Sequence, residues 1–161
     1  MRRLLLLRHA KAERLQPGGR DHDRVLAARG RADTKTLGAY LVRHAFVPDR
    51  AVVSAAARTR ETWTLLAAAM DKTPAASFDE RIYDAAPETI LGAIKETGPS
   101  TCTLMVIGHN PGLQELAAML VASGDIEARE RLGREFPTSG LVVISFAVEN
   151  WDDVHDHGRS G

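Results

Sequence analysis

The chain has 161 residues, with 21 basic and 21 acidic side chains and a single cysteine. That length suffices for one domain with a substantial core, and the balanced charge gives no overall field that would attract nucleic acid or a membrane surface. One cysteine excludes an internal disulfide and predicts a reducing, cytoplasmic location, and the apolar run after Cys102 predicts that its thiol is buried.

Apolar runs bounded by charge, glycine or proline predict five strands at residues 4–7, 51–54, 75–78, 103–107 and 141–147. Helical spacing of apolar residues predicts helices at 27–46, 57–70, 88–96 and 113–121. The alternation predicts an α/β fold, a three-layer sandwich with a mostly parallel central sheet of about five strands flanked by helices. We expect one domain over residues 1–148, an irregular charged segment over 123–136, and a polar, frayed tail over 149–161.

Polar residues follow three of the predicted strands. They are Arg8 and His9 after the first, Ser54 and Arg58-Thr59-Arg60 after the second, and His109 and Asn110 after the fourth. If these strands are parallel, the residues meet at one edge of the sheet, where two guanidiniums, two imidazoles and helix N-termini would form a phosphate pocket. Taken singly, the arginines have an ordinary alternative as solvated helix charges, and His109 has one as a turn residue. The shared edge favours the pocket.

The same residues carry a resemblance to a known family. Arg8-His9-Ala10 after the leucine strand is similar to the signature of the histidine phosphatase superfamily, whose fold is phosphoglycerate mutase-like, and the later motifs resemble its small SixA-type phosphohistidine phosphatases. Those motifs are Asp21-His22-Asp23-Arg24, Arg29-Gly30-Arg31, Ser54-x-Ala56-x-Arg58-Thr59-Arg60-Glu61-Thr62, Gly108-His109-Asn110-Pro111 and Phe136-Pro137-Thr138. Ala55 and Val25 depart from the pattern, because proline is common in the family at both positions. The departures concern loop stiffness more than chemistry.

The resemblance implies roles for five residues. His9 is the nucleophile and forms a phosphohistidine intermediate, while Arg8 and Arg58 bind the non-bridging oxygens of the phosphoryl group. His109 is a further donor to those oxygens, and Asn110 is a supporting residue of the pocket. No cofactor and no metal are implied, since arginines neutralise the phosphate.

Two acidic positions leave alternatives open. Glu80 resembles the general acid of the wider superfamily, and it reads equally well as a surface carboxylate. Asp21-His22-Asp23 has the residue types of a divalent metal site, but a fourth ligand is not evident, so a loop bordering the pocket is favoured.

The short connection after the third strand predicts an open pocket, which suits a phosphorylated side chain presented by a protein. We therefore expect a phosphatase that dephosphorylates phosphohistidine on a histidine-containing phosphotransfer protein. One alternative is a small-molecule phosphomonoesterase of the same superfamily, and another is a non-catalytic phosphate-binding module. A nucleotide-binding domain is disfavoured, because neither GxGxxG nor a P-loop follows the first strand.

Overall fold

Strands and helices alternate along the computed structural model, which describes residues 1–121, 125–130 and 138–154, the side chains of residues 125–130 excepted. In chain order the elements are β1 (Arg2–Arg8), α1 (Ala28–Arg43), β2 (Arg50–Ser54), α2 (Ala57–Met70), β3 (Ala75–Asp79), α3 (Pro87–Lys95), β4 (Thr103–Gly108), α4 (Gly112–Val121), β5 (Asp125–Glu130) and β6 (Leu141–Phe146). Short 3₁₀ turns lie at Asp21–Asp23, Glu80–Ile82 and Trp151–Asp153. Within the described ranges, no helix is long and apolar enough to span a membrane.

The strands form one six-stranded sheet in the order β3-β2-β4-β1-β6-β5. The pairings β1–β4, β2–β4 and β2–β3 are parallel, whereas β1–β6 and β5–β6 are antiparallel. The predicted α/β fold with a mostly parallel sheet is confirmed. The prediction of an irregular segment over 123–136 is wrong for Asp125–Glu130, which pairs with β6 as an edge strand. An edge strand has one free side, which tolerates a charged sequence.

The leucine strand β1 lies at the centre of the sheet and contributes to both faces. Leu4 and Leu6 pack on one face with residues of α3 and α4, while Leu5 and Leu7 pack on the other with residues of α1 and α2. All four leucines have no solvent exposure. A continuous apolar run is therefore what this position requires, because successive side chains point to opposite faces of a sheet that is covered on both.

The segment after β6 contributes to the core. Trp151 and Val154 are both 1% exposed, and the Trp151 indole Nε1 donates to the Thr101 carbonyl oxygen at 2.8 Å. The expectation of a frayed tail is therefore wrong for the part up to Val154, because one indole buries enough apolar surface to hold a short polar segment. Residues 155–161 lie outside the described ranges. Cys102 is exposed, which corrects the prediction of a buried thiol.

Candidate active site

The carboxyl ends of β1 and β4 bring two histidines together. The two strands are parallel neighbours in which Arg8 pairs with Gly108, and the His9 backbone N–H donates to the Gly108 carbonyl oxygen at 3.2 Å. His9 and His109 therefore follow adjacent strands at the same level, and their ring centroids lie 5.4 Å apart. Both are buried. The expected convergence of these two side chains at one sheet edge is what the structure shows.

The His9 ring is held in one orientation by the backbone. Its Nδ1 lies 2.8 Å from the Ala10 carbonyl oxygen, so Nδ1 carries the proton and Nε2 keeps its lone pair. The Ala10 N–H in turn donates to the Thr62 hydroxyl at 3.1 Å, which ties this backbone to α2. Burial, and after it the charges of Arg58 and the other nearby arginines, lowers the pKa of His9 to about 4. His9 is consequently neutral at physiological pH, as a nucleophile must be.

The His109 ring is oriented by a buried serine. Its Nε2 lies 2.7 Å from the Ser54 hydroxyl oxygen, which also accepts a long hydrogen bond from the Ala56 N–H at 3.5 Å. Either group can donate in this contact, since the Ser54 oxygen has a second lone pair; when the Ser54 O–H donates to Nε2, the proton of His109 sits on Nδ1. Nδ1 is buried and has no hydrogen-bond partner among the described residues. Burial, followed by the charge of Arg58, lowers the pKa of His109 to about 3.

Arg58 lies in the first turn of α2, the helix that follows the carboxyl end of β2 at the same edge of the sheet. Its side chain is 7% exposed. Its Nη1 donates to the Asp21 carbonyl oxygen at 2.8 Å, and its Nη2 donates to Asp21 Oδ2 at 3.0 Å. The Tyr83 hydroxyl donates to the same Oδ2 at 2.5 Å, and Arg24 Nε lies 3.1 Å from Oδ1. Chiefly because of the Tyr83 hydrogen bond, the pKa of Asp21 lies below its usual value.

The charges of Arg58, Arg8 and Arg24 all lower the pKa of His9, so all three guanidiniums lie close enough to the ring to act on its charge. Arg8 belongs to β1, and its backbone is fixed on the other side by β6, since the Arg8 N–H donates to the Gly140 carbonyl oxygen at 3.0 Å. Sequence reasoning placed Arg24 only in a loop bordering the pocket. Its charge adds to the anion-binding character of the site.

Arg60 and Asn110 lie further from this centre. The Arg60 guanidinium carbon stands 4.7 Å from the centroid of the Phe78 ring, so this arginine covers an exposed aromatic side chain and fits the reading of a helix surface charge. Asn110 is half-buried, with its Oδ1 buried, and its Nδ2 lies 3.5 Å from Gln114 Oε1. A supporting role for Asn110 stays a prediction.

Glu80 stands at the rim of the site, at the start of the 3₁₀ turn that follows β3. Its side chain is 71% exposed, and Oε1 lies 3.2 Å from Nε2 of His22. The His22 ring also packs edge-on against the Tyr83 ring, with the centroids 4.8 Å apart. These contacts join the 3₁₀ turn at Asp21–Asp23 to the one at Glu80–Ile82. The proposed acid function of Glu80 stays a prediction.

The metal alternative for Asp21-His22-Asp23 finds no support in these contacts. The Asp21 carboxylate faces two guanidiniums and a phenol hydroxyl, and His22 faces Glu80. Within residues 1–121 and 138–154, no group of three or more metal-ligating side chains is assembled. The loop instead borders the pocket and pairs with Arg58.

The two departures from the family pattern have different structural settings. Ala55 is buried, and its N–H donates to the Asp79 carbonyl oxygen at 3.3 Å, a hydrogen bond that proline could not make. This bond links the end of β2 to the end of β3 beside the site. Val25 is 46% exposed, so its side chain contributes little to the packing. Phe136 and Pro137 of the last motif lie outside the described residues.

Four residues support the site through contacts that sequence reasoning did not predict. They are Ser54 behind His109, Thr62 behind His9, and Asp21 and Tyr83 behind Arg58. Thr62 follows Arg58 by four residues on α2, and its hydroxyl donates to the Arg58 carbonyl oxygen at 2.7 Å, so helical spacing could have suggested that both face the site. Nothing in the sequence indicates that Tyr83 reaches Asp21.

Ser139 adopts a strained conformation against the nucleophile strand. Its φ is 60°, its side chain is buried, and its hydroxyl has no hydrogen-bond partner among the described residues. Its N–H donates to the carbonyl oxygens of Arg8 at 3.1 Å and His9 at 3.0 Å. A non-glycine residue in the left-handed region costs about 1–2 kcal/mol, and an unsatisfied buried hydroxyl adds to this.

We therefore expect Ser139→Gly to raise the free energy of unfolding by about 1 kcal/mol, after allowing for the greater flexibility of glycine in the unfolded chain. Urea denaturation measures this change. Ser139→Ala serves as the control, because it removes the hydroxyl and keeps the strained φ, so it should gain less than glycine. A loss of stability in Ser139→Gly would contradict the prediction.

An α/β sheet that presents a buried, oriented histidine close to several guanidiniums is typical of a phosphate-binding protein. The comparisons with known proteins agree with this class. The histidine phosphatase superfamily (branch 1) matches residues 4–101, and the chain belongs to that superfamily.

The relatives extend over most of the chain. An uncharacterized protein of Mycobacterium tuberculosis strain H37Rv is 37% identical over 150 residues, which cover 92% of this chain and 91% of that protein. A crystal structure from Agrobacterium tumefaciens, provisionally assigned as the phosphohistidine phosphatase SixA, is 33% identical with a TM-score of 0.75 over 88% of this chain and 90% of the other. A structure from Nakamurella multipartitia with the same provisional assignment is 29% identical with a TM-score of 0.79, over 95% and 88% of the two chains. These neighbours support a phosphatase.

Proposed function

We propose that this protein is a phosphohistidine phosphatase that acts on a histidine-containing phosphotransfer protein through a covalent intermediate on His9. The observation that carries the proposal is the orientation of the His9 ring. Its Nδ1 is fixed by the Ala10 carbonyl oxygen, its pKa is low enough to leave Nε2 unprotonated, and the charges of three arginines act on it. A module that only bound phosphate would need the arginines but not an oriented nucleophile.

In the first step, the lone pair on His9 Nε2 attacks the phosphorus atom. A P–N bond forms as the bond to the leaving group breaks, and the leaving group takes that electron pair and a proton. In the second step water attacks phosphorus, the P–Nε2 bond breaks, its electron pair returns to the ring, and orthophosphate departs. Arg8, Arg58 and the Nδ1–H of His109 stabilise the charge on the non-bridging oxygens in both steps.

The substrate part of the proposal rests on the connection after β3. Only residues 80–86 separate the end of β3 from the start of α3, and a 3₁₀ turn takes up Glu80–Ile82. This stretch is too short to fold over a small metabolite, so the phosphate site stays open to a side chain on a protein surface. The two neighbours provisionally assigned as SixA favour the same substrate class. The partner and a cytoplasmic location are part of this proposal.

Phosphate release from a phosphohistidine-bearing phosphotransfer protein and from a small aryl phosphate, each with and without EDTA, tests the function. The proposal expects His9-dependent release that is faster from the phosphoprotein and insensitive to EDTA. Faster release from the aryl phosphate would instead indicate a small-molecule phosphomonoesterase. Binding of inorganic phosphate without release from either substrate would indicate a binding module. Loss of activity in EDTA with rescue by a divalent ion would overturn metal independence.

The contribution of Glu80 to kcat depends on the leaving group of the substrate. An aryl or alkyl oxygen needs a proton when it leaves, whereas the imidazole of phosphohistidine is a better leaving group. We therefore expect Glu80→Gln to lower kcat for an alkyl or aryl phosphate by about tenfold to 10²-fold and to affect a phosphoramidate less. Kinetics on both substrate types measure the difference. Equal losses on both substrates would reject Glu80 as the leaving-group acid.

A further inference from the structure

The strongest feature that the proposed function leaves unexplained is the carboxylate beside Arg58. A phosphate pocket gains nothing directly from a negative charge, yet Asp21 lies against the arginine that is to bind the phosphate. The Asp21 side chain is 46% exposed and ionised, since its pKa lies below the usual value. The Asp21 carboxylate repels a phosphorylated substrate, so we expect it to contribute to the site in another way.

The hydrogen bonds of Arg58 show what that effect is. Asp21 accepts from both terminal nitrogens, with Nη1 donating to its backbone oxygen and Nη2 to its carboxylate. Two bonds from one fork restrict the rotation of the guanidinium. Of the three N–H donors that these bonds leave over, the Nε–H is buried and has no partner among the described residues.

Tyr83 fixes the carboxylate itself. Its hydroxyl donates to the same Oδ2 that accepts from Arg58, and its ring stands edge-on to His109 with the centroids 5.4 Å apart. The Arg58 guanidinium carbon also lies 5.9 Å from the centroid of the Tyr83 ring. Arg24 contacts the other carboxylate oxygen. Asp21 is therefore shared by two arginines and a tyrosine that come from three separate segments of the chain.

We propose that Asp21 is a positioning residue for phosphoryl transfer. It holds the Nη edge of Arg58 so that the Nε–H is presented to a non-bridging oxygen of the phosphoryl group, and Tyr83 keeps its carboxylate in place. The inference rests on the proposed function, because it assigns the presented edge of Arg58 to phosphate. Asp21 touches neither the substrate nor the reacting atoms.

A positioning role predicts a split between rate and binding. Asp21→Asn keeps the size of the side chain but removes the charge, so the Nη2 bond is weakened while the Nη1 bond to the backbone oxygen stays. Arg58 then keeps its attraction for an anion and is held less firmly. We expect kcat for an aryl phosphate to fall about tenfold and KM to change by less than about threefold. Tyr83→Phe, which leaves the Asp21–Arg58 contact in place, should show a smaller loss of the same kind.

NMR of the ¹⁵N-labelled protein reads the orientation without any need for turnover. The Nε–H signal of Arg58, assigned by its loss in Arg58→Lys, should be sharp in the wild type and shift as inorganic phosphate is added. It should broaden or disappear in Asp21→Asn. Asp23→Asn is the matched control, because Asp23 lies on the same turn, its side chain is 66% exposed, and its Oδ1 lies 3.8 Å from Nδ1 of His22. This variant should keep both the signal and the rate.

The two readouts separate the inference from the proposed function. An inactive wild type in which the Arg58 signal shifts with phosphate and is lost in Asp21→Asn would overturn the proposed function and support the positioning role. An active wild type in which Asp21→Asn leaves both the signal and kcat unchanged would overturn the positioning role alone. Parallel losses in kcat and in phosphate affinity, with the signal intact, would also overturn it.

Discussion

Replacing His9 with alanine is expected to lower phosphate release by at least about 10³-fold, because the proposed covalent intermediate forms on the His9 ring. The His9 ring is oriented by the Ala10 carbonyl oxygen and is neutral, so its Nε2 is the nucleophile of the proposed reaction. Initial rates of phosphate release measure the effect. Trapping the phosphorylated protein by rapid denaturation of the wild type at alkaline pH, where the P–N bond is stable, and its absence in His9→Ala, would identify the intermediate.

The fold of His9→Ala should be retained, since His9 follows the end of β1 and lies outside both apolar clusters of the core. Circular dichroism and thermal unfolding check this point. His44→Ala is a suitable control, because His44 caps the far end of α1 and stacks on Phe46 with the ring centroids 6.0 Å apart. A His9→Ala protein that kept more than a tenth of the wild-type rate would rule out the covalent mechanism. Such a rate corresponds to an activation free energy raised by less than about 1.4 kcal/mol.

The elements that sequence reasoning recovered are those with strong periodic signals. The apolar runs of β1 and β4 are buried on both faces, and the helix at Ala57–Met70 has the predicted bounds. The elements that it missed depend on partners elsewhere in the chain. Asp125–Glu130 reads as a charged loop and becomes a strand only because β6 offers a free edge. The segment around Trp151 is held by one buried indole, which no periodicity reveals.

The residues of the candidate site also fall into a group that the sequence predicts and a group that it does not. Residues that follow strands, such as His9 and His109, could be placed together because parallel strands end at one edge of a sheet. Their supporting partners could not be placed, because they come from distant loops. Asp21 lies 37 residues before Arg58 and 62 before Tyr83, and only the folded chain brings the three together. An apolar pattern predicts where a strand ends, but it does not predict which side chains form hydrogen bonds with each other there.

Loss of the Arg58 guanidinium is expected to have the second-largest effect on the rate. Arg58→Ala removes a buried cation that would bind the non-bridging oxygens, and we expect kcat to fall by about 10²–10³-fold, the range seen when one preorganised donor to a transition state is deleted. Arg58→Lys should recover only part of this loss, because a point charge cannot use the two edges of the fork. The matched control is Arg60→Ala on the same helix, where the side chain covers Phe78 instead of facing the site.

The same variant should change the pH dependence in a defined direction. The charge of Arg58 lowers the pKa of His9, so its removal raises that pKa from about 4 toward the ordinary value of 6.5. The nucleophile must be unprotonated, so activity is lost as pH falls through this pKa. The acid limb of the kcat/KM profile of Arg58→Ala should therefore move to higher pH than in the wild type, and NMR titration of the His9 ring should show the same shift. An acid limb that stays in place while kcat falls would mean that Arg58 and His9 do not share one site.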